Sequence, residues 1–259
     1  MGRLFCALAL GMTAAVTFAA PTLAGITLGT SDRYAVVTVK VDDALKSYSK
    51  LNEYLAAQGN LWGTKAQDEA AREIPRLPKS APSGAWTYER NYKLYSAIGP
   101  YISVVFEDFT DTHGAHPNNA TDAILWDREA ETPINVRPFF NEAEDGGPTM
   151  TALAALVRAA LVTEKRKRGE PIKGDPDKDF WLQNVKPWLE KFGAIALAPS
   201  TVQGKSSGLT FIFSPYMVGP YSDGTFTVFV PWTDLKELLS AQGAALFGGV
   251  RPPGDIERR

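Results

Sequence analysis

Residues 208–235 read GLTFIFSPYMVGPYSDGTFTVFVPWTDL, and the way this stretch divides decides the fold. Residues 209–213 and 225–230 are dense in β-branched and aromatic side chains, which suit a pleated, half-buried surface. Between them Pro215, Gly219, Pro220 and Gly224 punctuate a tight reversal, so the two runs are neighbouring strands of one sheet. Residues 233–242 follow as a closing helix. Strand, turn, strand and helix in direct succession argue for antiparallel pairing with a helix laid against it.

Working outward, the same grammar recurs upstream. In residues 86–95 the even positions Trp86, Tyr88, Tyr92 and Leu94 are apolar or aromatic, broken once by Arg90. The odd positions Thr87, Glu89, Asn91 and Lys93 are polar, giving the period-two pattern of a half-buried strand. After Gly99-Pro100, Ile102, Val104 and Phe106 continue one face of a second strand, and residues 123–126 read as a third. Residues 33–41 are a further strand, with Asp42 or Asp43 placed to cap a helix through Leu45, Tyr48, Leu51 and Leu55. A second, more polar helix is expected over 65–73, then a proline-rich loop over 75–83.

In the other half, Met150, Leu153, Leu156, Val157 and Leu161 mark one face of a helix over 149–167. Asp175-Pro176 reads as a cap and first helical position, opening a helix through Phe180, Trp181 and Val185 that restarts after Pro187 with Trp188, Leu189 and Phe192. The expected fold class is α+β: antiparallel sheets with helices packed on one side, in two intimately packed sub-modules over 25–145 and 146–247. Residues 248–259 hold too little apolar content to pack and are expected as a flexible tail.

The chain opens with Arg3, an uncharged apolar run over residues 4–20, and Thr22-Leu23-Ala24, the layout of a cleaved signal peptide. Cleavage after Ala24 removes Cys6, the single cysteine, so the mature protein would work in the periplasm or outside the cell without a disulfide. With 27 basic against 29 acidic residues, the chain lacks the electrostatic footprint of a nucleic-acid or anionic-lipid binder. No later apolar run is long enough for a membrane anchor.

Several patterns carry potential chemistry. His113 and His116, the two histidines, sit in the loop DTHGAHPN over 111–118 with Glu107, Asp108 and Asp111 upstream. Histidine and carboxylate together suit a divalent cation, yet the spacing assures no third ligand, and Gly114 and Pro117 equally make a tight turn. Gly204-Lys-Ser-Ser-Gly208 matches a hydrolase-nucleophile pattern but leads into a strand where that motif requires a helix. Residues 175–179 lack the glycine and glutamate of a calcium loop, and residues 165–168 are cations complementing a helix C-terminus. Tyr216 and Tyr221, with Trp232 nearby, stand on a rigid glycine-hinged turn, where exposed aromatics offer a stacking surface for a sugar or a protein. No cofactor is expected.

Two of these stretches together carry a resemblance. Gly114-Ala-His-Pro-Asn118 after a strand, and Pro215-Tyr-Met-Val-Gly-Pro-Tyr221 between strands with Thr233–Leu235 starting a helix, resemble a family of bacterial extracytoplasmic domains. Its members include the ectodomains of RsiV-like lysozyme-sensing anti-sigma factors and the accessory regions of PdaC-like deacetylases. This chain departs from the pattern at His113, where a glycine is usual. The resemblance implies an exported α+β domain of largely unassigned activity, which in one branch binds a C-type lysozyme; the leading expectation is a non-enzymatic domain that binds a wall-degrading enzyme or peptidoglycan fragments. The residues expected nearest its ligand are His116, Asn118, Tyr216, Tyr221 and Asp223. The competing expectations are a metal-dependent wall hydrolase using His113 and His116, and a purely structural envelope protein.

Overall fold

A computed structural model of the protein describes residues 28–255 apart from 171 and 173. The leader expected over 1–24 lies outside the described residues. The alternating stretch becomes the centre of a six-stranded sheet in the order β1 (Leu28–Ser31), β2 (Ala35–Val41), β3 (Trp86–Ile98), β4 (Tyr101–Asp111), β5 (Asn118–Asp127) and β6 (Thr132–Ile134). Every neighbouring pair is antiparallel except β2 and β3, which run parallel from Ala35↔Trp86 to Val41↔Tyr92. The exception has a local cause: α1 (Ser49–Glu73) is the crossover that returns the chain to the starting end of β2.

α1 is one helix where two were expected. Gly59 and Gly63, which weaken the helical reading of the sequence, lie in its interior because they let the helix approach β2. A Cβ on Gly59 would stand 2.8 Å from Val39 Cγ1, and one on Gly63 3.0 Å from Val37 Cγ1. Tertiary packing overrides the propensity of about 1 kcal/mol per glycine. The helix buries Leu51, Leu55, Ala66 and Ala70 against the sheet. Arg90, which breaks the alternation of β3, also faces this layer. Its guanidinium lies 4.6 Å from both the Trp62 and Phe106 ring centroids and forks onto Asp108 at 2.6 and 2.5 Å.

The second half supplies α2 (Pro148–Lys167) and a three-stranded antiparallel sheet, β7 (Ala194–Leu197), β8 (Gly208–Phe213) and β9 (Phe226–Pro231). The region expected as helices over 175–192 forms short 3-10 turns instead, at Pro176–Lys178, Leu182–Asn184 and Leu189–Lys191. The closing helix is divided into α3 (Trp232–Leu235), one 3-10 turn and α4 (Ala241–Leu246), which is recapped by Ser240. Residues 248–255, expected as part of a flexible tail, are held by specific bonds. Gly248 N–H donates to Ser206 O at 2.8 Å, Trp232 Nε1 to Gly249 O at 2.8 Å, and Arg251 Nε to Asp255 at 2.6 Å.

The two halves share buried surface. Ile98, Tyr101 and Leu125 of the large sheet join one cluster with α2 and the small sheet. A second seam brings Val105 against Ala194, Ala196 and Ile212. A β-bulge between Leu94 and Ser96 presents the adjacent Tyr95 and Ser96 to the same side. Both reach the small sheet: Tyr95 Oη donates to Thr210 Oγ1 at 2.7 Å, and Ser96 Oγ to Leu197 O at 2.6 Å.

Candidate functional site

The β4–β5 loop and the β8–β9 turn, about a hundred residues apart in sequence, meet at one edge of the molecule. They are tied where Thr121 N–H donates to the Ser214 side-chain hydroxyl at 2.8 Å. Above that tie the His116 imidazole stacks on the Tyr221 ring with centroids 3.9 Å apart and planes 23° apart. Tyr216 completes the group, its centroid 5.6 Å from that of Tyr221 and 6.3 Å from that of His116. The result is a ledge of three rings built by both halves of the chain.

Hydrogen bonds fix each ring. Tyr221 Oη donates to Pro117 O at 2.6 Å and accepts from Asn119 Nδ2 at 3.2 Å. His116 Nδ1 lies 2.8 Å from Pro117 O and Nε2 3.2 Å from Tyr216 Oη. A carbonyl oxygen only accepts, so the proton of a neutral His116 sits on Nδ1, and Nε2 accepts from Tyr216. Both imidazole nitrogens are thereby engaged. Tyr216 itself holds a left-handed φ of +71° and keeps 52% of its surface exposed. A non-glycine residue in that conformation costs about 1 kcal/mol, and such strain collects where a side chain must be displayed.

The turn that carries the tyrosines is packed from beneath. A Cβ on Gly219 would lie 2.8 Å from Asp223 Oδ2, 2.9 Å from the Phe226 ring and 3.4 Å from Lys165 Nζ. Lys165 is buried with its ammonium 4.5 Å from the Phe226 centroid. Arg168 donates to the Asp223 and Thr225 carbonyls at 3.1 and 3.0 Å, fastening the C-terminal end of α2 to the same turn. The cations at the end of α2 therefore brace the ledge.

Of the residues expected at a site, His116, Tyr216 and Tyr221 come together. Asn118 and Asn119 point to opposite faces of β5 by strand alternation, and it is Asn119 that reaches Tyr221. Asp223 turns its carboxylate toward Gly219 and Ser222, inside the turn. His113 takes a left-handed φ of +58°, and its backbone N–H donates to Asp111 at 2.8 Å. Its Nε2 is buried without a hydrogen-bond partner, 3.1 Å from where a Cβ on Gly84 would stand. Among the described residues no three His, Cys, Asp or Glu side chains group as a metal-ligand set. Asn119 and the Pro117 carbonyl escape a reading by residue type: one is hidden in an Asn doublet, the other is backbone. Among the described residues no helix is long and apolar enough to cross a membrane.

The protein is thus an α+β domain whose two sheet modules meet at an aromatic ledge with Tyr216 exposed. Residues 143–233 match the profile of the family described as "Protein of unknown function (DUF3298)", a match that takes in α2, the small sheet and both tyrosines. The whole fold is similar to two crystal structures. One is of a DUF3298 family member from Bacteroides fragilis, 14% identical, covering 84% of this chain and 93% of that one with a TM-score of 0.54. The other is of a DUF3298 family protein from Pseudomonas aeruginosa, 12% identical, covering 87% and 97% with a TM-score of 0.52. At these identities the likeness is one of fold. No curated protein matches the chain.

Proposed function

We propose that the protein is an exported binding domain of the bacterial cell envelope that recognises a wall-degrading enzyme of the C-type lysozyme class through the Tyr216–Tyr221–His116 ledge. The observation that carries this reading is the ledge itself. Two rings are fixed by main-chain and Asn119 hydrogen bonds, and the outermost, Tyr216, bonds to His116 and faces solvent at a cost in backbone strain. Rigid amphipathic aromatics at a solvent edge are what protein interfaces use as anchors. The Gly-Ala-His-Pro-Asn and Pro-Tyr-x-x-Gly-Pro-Tyr motifs, which resemble those of RsiV-like ectodomains, support the choice of partner. The charge-free run over residues 4–20 supports export.

The ledge favours binding over hydrolysis for a chemical reason. His116 Nε2 already accepts from Tyr216, and the nearby Ser214 hydroxyl is tied to Thr121, so neither forms a nucleophile–base pair. The exposed Tyr216 ring also suits stacking on a pyranose, which makes peptidoglycan fragments the second reading. Calorimetric titration of residues 25–259 with a C-type lysozyme tests the first. Saturable binding with a Kd near or below micromolar, about −8 kcal/mol, is expected. Absence of heat with lysozyme, together with heat on adding soluble peptidoglycan fragments, would transfer the ledge to the glycan.

A further inference from the structure

We infer that the outer edge of β9, together with the flank of α2, forms a second binding site, which takes an extended polypeptide segment of a partner protein as an added strand. β9 pairs with β8 alone among the described residues. Which of its main-chain groups face outward follows from the register. Trp232 N–H donates to Ser207 O at 2.9 Å, and antiparallel alternation passes the inward bonds to Val230, Val228 and Phe226. The N–H and C=O of Thr227 and Phe229 are left on the outer edge. Pro231, having no N–H, blunts the edge at its far end.

Both residues border a concave surface. They line a groove of about 420 Å³ whose opposite wall is α2, which presents Leu156, Ala159, Ala160 and Thr163 at helical spacing. Small side chains on that wall leave room beside the strand. The Arg251 guanidinium, 4.8 Å from the Phe229 centroid and bonded to Asp255, also lines the groove. An edge of alternating donors and acceptors facing a helix wall of small side chains, with Glu164 and Asp234 also in the lining, is the arrangement that strand addition uses: main-chain bonds hold the segment, and alternate side chains lie on the helix. At about 3.3 Å per residue, the open edge takes roughly five residues, with small apolar side chains toward Ala159 and Ala160.

The helix wall also selects the occupant. A second folded copy pairing through its own β9 would bring its α2 to about one strand spacing, 4.8 Å, from this one. α2 packs along β9, and helices in contact need about 8–10 Å between axes. A lone extended segment has no such conflict.

The test is selection of a displayed random heptapeptide library on the whole protein, followed by titration of enriched synthetic peptides. Thr227→Pro removes one outward N–H without touching the β8 ladder, as edge strands tolerate. Ala159→Glu fills the groove from an exposed helix position. The inference expects enriched peptides that bind wild type and lose at least tenfold in affinity to each variant. They should lose as much when alternate peptide amides are N-methylated, a control that leaves the protein unaltered. Tyr216→Ala should leave this binding unchanged. No enrichment above background, or peptides that bind Ala159→Glu and tolerate N-methylation at every position, would overturn it.

Discussion

Tyr88 lies buried between β3 and α1 with its hydroxyl lacking a hydrogen-bond partner, and burial pushes its pKa up to about 12, with Glu69 adding to the shift. The folded state therefore holds this proton more tightly than the unfolded chain, where tyrosine titrates near 10. Below pH 10 both states are protonated and the group's contribution is constant. Between 10 and 12 only the unfolded state ionises, so stability falls as pH rises through that range. Urea unfolding at pH 7, 9 and 11 should show Tyr88→Phe at least as stable as wild type at pH 7 and with a smaller loss at pH 11. Parallel losses in the two proteins would show that Tyr88 does not carry the effect. The residue scale is also where sequence reading was weakest. Residue type distinguished His116 and Tyr221 but could not choose Asn119 over Asn118, because that choice depends on which face of β5 meets the turn.

At the scale of elements, strands are legible where period two (β3, β4) or β-branched and aromatic density (β8, β9) meets a Pro/Gly turn. Helices were misread where local signals conflicted with packing. Gly59 and Gly63 lie in the interior of α1 as contacts with β2; Asp175-Pro176 looks like a helix start and opens only a 3-10 turn. The parallel β2–β3 pair was invisible because direction is set by the crossover, not by composition. What joins the two sheets was equally hidden in single serines. Ser103, fully buried on β4, accepts from Leu197 N–H on β7 at 3.0 Å. Ser103→Ala would strand that buried N–H, so it should cost about 1–3 kcal/mol in urea unfolding with an unchanged m-value. A cost near zero would mean that the seam rests on its apolar contacts alone.

For the whole molecule, the account rests on a division of labour. The shared core under Ile98, Tyr101 and Leu125 fixes the two modules, and α2 anchors the β8–β9 turn through Lys165 and Arg168. The β4–β5 loop then meets that turn in a set geometry, and Tyr216 is the part left over, bonded through one hydroxyl and facing solvent. The sequence disclosed the two motifs but not their meeting. Only the packing of one sheet on the other closes a gap of 100 residues between His116 and Tyr216.

Tyr216→Ala is the decisive variant for lysozyme recognition at the ledge, because it removes the exposed ring while the core beneath stays intact and the strained φ is relieved little. Thermal melting and lysozyme titration should be run on the same preparation. The account predicts a melting temperature close to wild type and at least a tenfold loss of lysozyme affinity, about 1.4 kcal/mol. Unchanged affinity in a protein that melts like wild type would contradict it.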